Sequence, residues 1–204
     1  LKKDRLKILK KNKNFIFYKV DICNKSKLEI IFKKYKFKKI IHLAAQAGVR
    51  HSIDNPETHI QSNVSGYSNL LEQAKKFKTR HIIFASSSSV YGSLNKHPSK
   101  EEMNTDFTES IYAATKKTGE IMSFTYSKLN NLPITVLRLF TVYCTYGRPD
   151  MAIYKFTKGI SENKYIDLFN YGNHERDFTY VSDVVEAIYK VLMYGPIDNF
   201  EVYN

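Results

Sequence analysis

Three short runs in this 204-residue chain are almost continuously apolar: KKIIHLAA (38–45), HIIFAS (81–86) and ITVLRLF (134–140). A strand with one wet face alternates polar and apolar residues; these runs do not, so each asks to be covered on both faces. Between them lie stretches with helical spacing. Residues 57–78 place Ile60, Val64, Tyr67, Leu71 and Ala74 at steps of four and three, one stripe along a helix. KLEIIFKKY (27–35), residues 109–130, which stop before Pro133, and residues 150–162 read as further helices. Alternation of such strands and helices predicts a doubly wound α/β fold, a parallel sheet with right-handed crossovers and helices on both faces. FIFYKV (15–20), YIDLF (165–169) and DFTYV (177–181) are expected as short strands. Asp183 and Glu186 have capping-box spacing for a helix over 184–193, with Val184, Val185, Ile188 and Leu192 on one face.

Composition removes several classes of function. No apolar run is long enough to span a bilayer, and the opening LKKDRLKILKK lacks the apolar core of a signal peptide. Two cysteines, Cys23 and Cys144, are too few for a disulfide framework and point to a reducing, cytoplasmic setting. The net charge of +12 raises the question of nucleic acid. The lysines concentrate in residues 2–39 along a helix face and loops, with no aromatic–basic stacking motif among them. The expectation is a solvated lysine-rich surface, with neither nucleic acid nor membrane as partner; steeply salt-dependent binding would be needed to revive the former. The histidines at 42, 51, 59, 81, 97 and 174 show no metal-ligand spacing, so no metal site is expected.

In an open parallel sheet, ligands bind beyond the carboxyl ends of the strands. Here those ends carry Ala44–Ala45, Ser86–Ser89 and Thr141–Tyr143. FASSSSVYG (84–92) reads as the end of a buried strand, and SIYAATKK (110–117) as the start of a helix. Tyr112 and Lys116 then lie one turn apart on one face. A hydroxyl (Ser87), a phenol (Tyr112) and an ammonium (Lys116) are the groups that take a proton from an alcohol while hydride leaves the same carbon. The YxxxK spacing recurs at Tyr35/Lys39 and Tyr154/Lys158, but only Tyr112/Lys116 follows a strand-end serine cluster.

HLAAQAGVR (42–50), NVSG (63–66), SSSSVYG (86–92), YAATKK (112–117), LRLFTVY (137–143), YGRPDMA (146–152) and RDFTYVSD (176–183) occur in an order and spacing that resemble the extended short-chain dehydrogenase/reductases, the NAD-dependent epimerases and dehydratases. The branch most resembled acts on UDP-glucuronate. The resemblance covers essentially the whole chain. It implies a Rossmann-like, NAD-binding domain over 1–143. Over 144–204 it implies the start of a small substrate-binding domain with a return strand and helix. The implied reaction inverts C4 of UDP-glucuronate, through a 4-keto intermediate, to UDP-galacturonate, a precursor for surface polysaccharide. It further implies a homodimer built on helices such as 57–78 and 109–130.

The resemblance also distributes roles. Tyr112 is the general base, Ser87 binds and relays the proton of the sugar 4-hydroxyl, and Lys116 holds the nicotinamide ribose. Lys116 would also lower the phenol from its ordinary pKa of about 10. Ser86, Ser88 and Ser89 line the same pocket. Related dehydratases and decarboxylases carry Asp or Glu at the place of Ser88/Ser89; serine offers no carboxylate base, which favours epimerisation. Arg148 holds the glucuronate carboxylate, a match for the guanidinium fork. Oxidation at C4 makes a β-keto acid that readily loses CO2, and a clamped carboxylate would be protected from that loss. The alternative for Arg148 is an exposed turn arginine. Arg176 binds the UDP phosphates, or forms a surface ion pair with Asp177. Asp21 and Ile22 contact adenine, or form a strand-end turn. Ala44, Ala45 and Asn63 contact NAD, or serve tight helix–sheet packing. Thr141 and Tyr143 touch the sugar ring, or belong to the core.

Two departures from the family pattern qualify these roles. The glycine-rich GxxGxxG loop that cradles the dinucleotide phosphates is not in the sequence, whose eight glycines are scattered from Gly48 onward. The expectation is a chain that lacks the first strand, the glycine loop and the second strand, and that breaks off in a strand at FEVYN. Segment 15–20 would then have no neighbour to join it to the sheet. Cys144-Thr145-Tyr146 stands where the family has Gly-Pro-Trp, which leaves the aim of Arg148 open. An inactive fragment, a UDP-hexose 4-epimerase and a UDP-glucuronate decarboxylase remain as alternatives.

Overall fold

A computed structural model describes residues 2–93, 98–173 and 175–204. In chain order the elements are α1 (Lys2–Leu9), α2 (Lys25–Tyr35), β1 (Lys39–His42), α3 (Val49–Asp54), α4 (Pro56–His59), a π-helical turn (Ile60–Ser65), α5 (Gly66–Lys76), β2 (His81–Ser87), a 3-10 turn (Ser88–Tyr91), α6 (Ile111–Asn130), β3 (Ile134–Leu139), β4 (Thr141–Tyr143), α7 (Ala152–Ser161), a 3-10 turn (Phe169–Gly172), β5 (Phe178–Tyr180), α8 (Val181–Tyr194) and β6 (Phe200–Tyr203). They form two compact units. One comprises residues 20–140 and 185–204, the other residues 1–19 and 141–184. The sequence divides the chain at 143/144; the compact units divide it at 19/20, 140/141 and 184/185.

The larger unit is built on a parallel sheet in the order β1-β2-β3-β6. All seven residues of β2 are buried, which is what its unbroken apolar run requires. Ile82, Phe84, Ile134 and Val136 meet Leu28 and Phe32 of α2 and Tyr67, Leu70, Leu71 and Ala74 of α5 in one core. Each Leu, Ile, Val or Phe among them contributes about 1.5–3 kcal/mol on burial. Caps set the helix limits. The Asn24 side chain accepts from the Lys27 amide at 3.0 Å and starts α2. Ser110 accepts from the Ala113 amide at 3.1 Å and starts α6, which puts Tyr112 in its first turn. Asn131, in the left-handed conformation with φ 49°, ends α6 two residues before Pro133. Gly119 lets α6 approach β2 closely: a Cβ there would lie 2.3 Å from Phe84 Cζ.

Several local expectations are corrected. The stripe over 57–78 is interrupted by the π turn, whose extra residue rotates the buried face. His59 and Asn63 are buried in place of Ile60, which is exposed, and Tyr67, Leu71 and Ala74 keep their places. Residues 15–20 form no strand, and residues 165–169 run irregularly into the 3-10 turn. Both segments have strand-forming residues, but propensity alone does not hold an extended backbone without a ladder partner. Asp183 lies inside α8, which follows directly on β5 and starts at Val181, so no capping box forms. Asp183 accepts from Ser182, while Glu186 pairs with Lys190 at 2.7 Å.

In the smaller unit β4 and β5 pair in parallel, Thr141 beside Phe178 and Tyr143 beside Tyr180. The Arg5 guanidinium donates to the Tyr146 carbonyl and ties α1 to this unit.

Candidate active site

The carboxyl end of β2 gathers the chemistry. Lys116, only 5 % exposed, donates its ammonium to the Ala85 carbonyl at 2.6 Å, two residues before Ser87. The same Nζ stands 5.3 Å from the centre of the Phe84 ring and 6.0 Å from that of Tyr112. Burial pulls the Lys116 amine down to about 8. Beneath it, His42, Tyr67 and Phe84 stack, with ring centres 4.8 Å apart for His42–Tyr67 and 4.5 Å for Tyr67–Phe84. Burial, and then the charge of Lys116, lower His42 to about 4. At neutral pH the histidine is therefore an uncharged floor under the ammonium.

Ser87 caps the following 3-10 turn: its Oγ accepts from the Ser89 amide and donates to Ser89 Oγ, both at 3.2 Å. Ser88 and Ser89 are half-buried in that turn. Ser86 departs from the expectation that it lines the same pocket. Alternation along the strand turns it to the opposite face from Ser87, where its hydroxyl donates to Glu120 Oε1 at 2.5 Å. Glu120 in turn takes both arms of the Arg138 guanidinium, at 3.0 and 2.9 Å. The sequence reading missed both residues. Arg138 carried a signal, being the one charge inside the apolar run ITVLRLF, and Glu120 stands one helical turn beyond Lys116.

Tyr112 is half-buried, and the His59 ring packs edge-on against it with centres 6.3 Å apart. The side chain of Asn63 accepts from the Gln46 amide at 2.8 Å and donates to the Gln46 carbonyl and to Thr115 Oγ1, both at 3.0 Å. Asn63 thus clamps the loop after β1 to α6, and its donors and acceptor are occupied by protein. That loop carries Ala44, which is exposed, and Ala45, which is half-buried. Asp21 accepts from the Cys23 amide at 2.9 Å in a turn leading into α2. The Ile22 carbonyl accepts from Asn69 at 3.2 Å.

The smaller unit holds a cleft of about 280 Å³ lined by Thr141, Tyr143, Arg148, Met151, Arg176 and Phe178, among others. Arg148 is exposed and grips Asp150 in a fork, Nε to Oδ1 at 3.0 Å and Nη2 to Oδ2. That guanidinium holds the Asp150 carboxyl below the usual carboxylate range. Asp150 occupies the Nε/Nη2 edge, so the Nη1 edge is the one left to face a ligand. Arg176 is exposed and donates to the Glu175 carbonyl at 2.7 Å rather than to Asp177.

Among the described residues no group of three His, Cys, Asp or Glu is placed to hold a metal ion, and no helix is long and apolar enough to cross a membrane. His97 and His174 lie outside the described residues. For a dinucleotide, the residues fit one end. A ribose hydroxyl suits a buried ammonium at a strand end, and the small side chains at 44–45 leave the backbone approachable. The phosphate-cradling glycine loop is not among these residues.

Comparison with known proteins agrees with this arrangement. The profile of the NAD dependent epimerase/dehydratase family matches residues 2–204. Protein CapI of Staphylococcus aureus is 51% identical over 192 residues, 94% of this chain and 57% of that protein. A UDP-glucuronate 4-epimerase of Thermodesulfobacterium geofontis is 47% identical over 187 residues, 92% of this chain and 58% of that one. Among solved structures, the UDP-glucuronic acid 4-epimerase of Bacillus cereus, in complex with UDP-glucuronic acid and NAD, superposes with a TM-score of 0.91 at 33% identity, over 100% of this chain and 63% of that one. The chain therefore spans about three fifths of the length of the relatives it matches. With a family profile over nearly every residue, and with the serine turn, tyrosine and lysine at the end of a parallel strand, the chain belongs to the NAD dependent epimerase/dehydratase family.

Proposed function

We propose that the chain carries the catalytic core of a UDP-glucuronate 4-epimerase, which interconverts UDP-glucuronate and UDP-galacturonate through a 4-keto sugar. The observation that carries this reading is the Lys116 ammonium fixed on the Ala85 carbonyl at 2.6 Å, with the Tyr112 ring beside it and Ser87 two residues further along the strand. Residues 1–143 are assigned to NAD and 144–204 to the start of the substrate region. In this reading Tyr112 takes the proton of the 4-hydroxyl, with Ser87 hydrogen-bonded to the same oxygen, and returns it when the ketone is reduced. Lys116 binds the nicotinamide ribose and favours the phenolate by its charge. Bound NAD supplies the acceptor, and then the donor, of the C4 hydride. Arg148 grips the carboxylate and Arg176 the diphosphate. Ser88 and Ser89 add hydroxyls but no carboxylate base, which favours epimerisation over dehydration or decarboxylation. A homodimer would cover the exposed Ile121 and Phe124 of α6. The two free cysteines suit a reducing compartment such as the cytoplasm.

Arg148→Ala tests the substrate. The preference for UDP-glucuronate over UDP-glucose, taken as the ratio of kcat/KM values, should fall about 10- to 100-fold, the worth of hydrogen bonds to a charged group. Release of CO2 from UDP-glucuronate should rise. An unchanged ratio would point instead to a UDP-hexose epimerase. A second reading is a chain of these 204 residues that is inactive by itself, since its sequence holds no phosphate-cradling glycine loop. It predicts that the chain does not retain NAD through gel filtration, and copurified NAD would refute that prediction.

A further inference from the structure

We propose that the buried Glu120–Arg138 ion pair is a positioning device for the serine turn, gripping at both ends the segment that carries Ser87, Ser88 and Ser89. At the near end, Ser86 donates to Glu120 Oε1 at 2.5 Å. At the far end, Arg138 Nη1 donates to the Tyr91 hydroxyl at 3.1 Å, and the guanidinium lies over the Tyr91 ring, 5.0 Å from its centre. The Tyr91 hydroxyl passes the chain of bonds to Asn204 Oδ1 at 2.6 Å. The same Arg138 nitrogen also reaches the Glu101 carbonyl at 3.0 Å, on the chain beyond the turn. Glu120 and Arg138 join these two grips, and their side chains are only 5% and 6% exposed.

Several features make this a matter of aim rather than of bulk stability. A buried ion pair is a poor stabiliser compared with apolar residues of the same size, because both charges are desolvated. A bidentate fork, by contrast, fixes direction in a plane. Arg138 is the neighbour of Ser86 in the β2–β3 ladder, so the fork is anchored at the level where the strand ends. Among the described residues the Ser87 hydroxyl bonds within the turn to Ser89, twice at 3.2 Å, so its direction follows from how the turn's ends are held. Finally, α6 holds successive residues of β2, Ala85 through Lys116 and Ser86 through Glu120. The pair therefore keeps the serine hydroxyl in fixed relation to the ammonium one turn away.

The kinetic part of the test rests on the proposed epimerase reading; the exchange part does not. Ser86→Ala removes one grip and leaves the ion pair intact. Glu120→Gln with Arg138→Met removes the charges together and avoids a lone buried charge. Amide hydrogen exchange of the chain should accelerate tenfold or more at residues 87–92 in both variants, while residues 82–85 keep their protection and the unfolding midpoint stays within a few degrees. Ser86→Thr, which keeps the hydroxyl, should restore slow exchange. In a form of the chain that turns over UDP-glucuronate, Ser86→Ala should lower kcat about tenfold with KM within twofold. Unchanged exchange at 87–92, or equal acceleration across the whole of β2, would overturn the proposal, the latter because the pair would then be merely structural. A parent chain without turnover under any condition would count against the epimerase reading alone, and the exchange result would still decide the clamp.

Discussion

Tyr112→Phe is expected to lower the rate of C4 inversion by about 100- to 10,000-fold, the usual worth of a positioned general base, with little change in folding stability. The ring that remains keeps its edge contact with His59 and its place beside Lys116, 6.3 and 6.0 Å away between centres or from Nζ. The substitution removes the oxygen proposed to take the proton, so the effect should fall on kcat and kcat/KM together. Initial rates with UDP-glucuronate, set beside thermal midpoints of parent and variant, check this. Turnover within tenfold of the parent would remove Tyr112 from the chemistry and leave the family resemblance as the sole ground for the site.

Lys116→Met is the second change with a large effect, and it should act on activity and stability in opposite directions. Activity should fall by a hundredfold or more, because no charge remains to favour the phenolate or to hold a ribose hydroxyl. Stability should rise. The amine sits at about 8 in the folded chain and at 10.5 in its ordinary state. Between those values the unfolded chain binds more protons than the native one, so parent stability climbs as pH rises from about 8 to 10.5. The full climb corresponds to about 3 kcal/mol, which is the strain that the buried charge imposes at neutral pH. Removing the ammonium releases that strain and forfeits the charged hydrogen bond to the Ala85 carbonyl, worth about 1.5–3 kcal/mol, leaving a net gain of about 1 kcal/mol at pH 7. Urea unfolding at pH 7 and pH 10 reads both features, since the difference between parent and variant isolates this one group. A variant less stable than the parent, with the same pH slope, would show that the ammonium is not under desolvation strain. Such a trade, stability held down at a residue that function needs, is common at active sites.

What the sequence made legible, and what it hid, follows the range of the interactions. β2 and β3 were readable because strands covered on both faces are apolar throughout, and the end of α6 because Pro133 follows it. Tyr112 and Lys116 were readable because helical spacing puts them one turn apart. Residues 15–20 and 165–169 were misread because a strand exists only when another strand pairs with it, and nothing local reports the partner. The π turn shifted burial from Ile60 to His59 and Asn63, a change of hydrogen-bond register that leaves no mark on the apolar count. Asn63 left a cofactor contact and a packing role both open, because its bonds to Gln46 and Thr115 cross 17 and 52 residues of sequence. The Glu120–Arg138 pair was missed because its meaning lies in what it joins, β2, β3, α6 and the serine turn, which come together only in the fold.

The central claim is that hydride leaves and returns to C4 of a UDP-hexuronate at the site of Ser87, Tyr112 and Lys116. The most direct measurement follows UDP-glucuronate deuterated at C4, incubated with NAD+ and the chain, both alone and fused to a glycine-rich strand–loop–helix segment from a relative. The account predicts UDP-galacturonate with deuterium still on C4, in the fusion if not in the chain alone, and none in the Tyr112→Phe form. Release of CO2 with a UDP-pentose, product that has exchanged its deuterium with solvent, or no conversion even with the glycine segment added would contradict it.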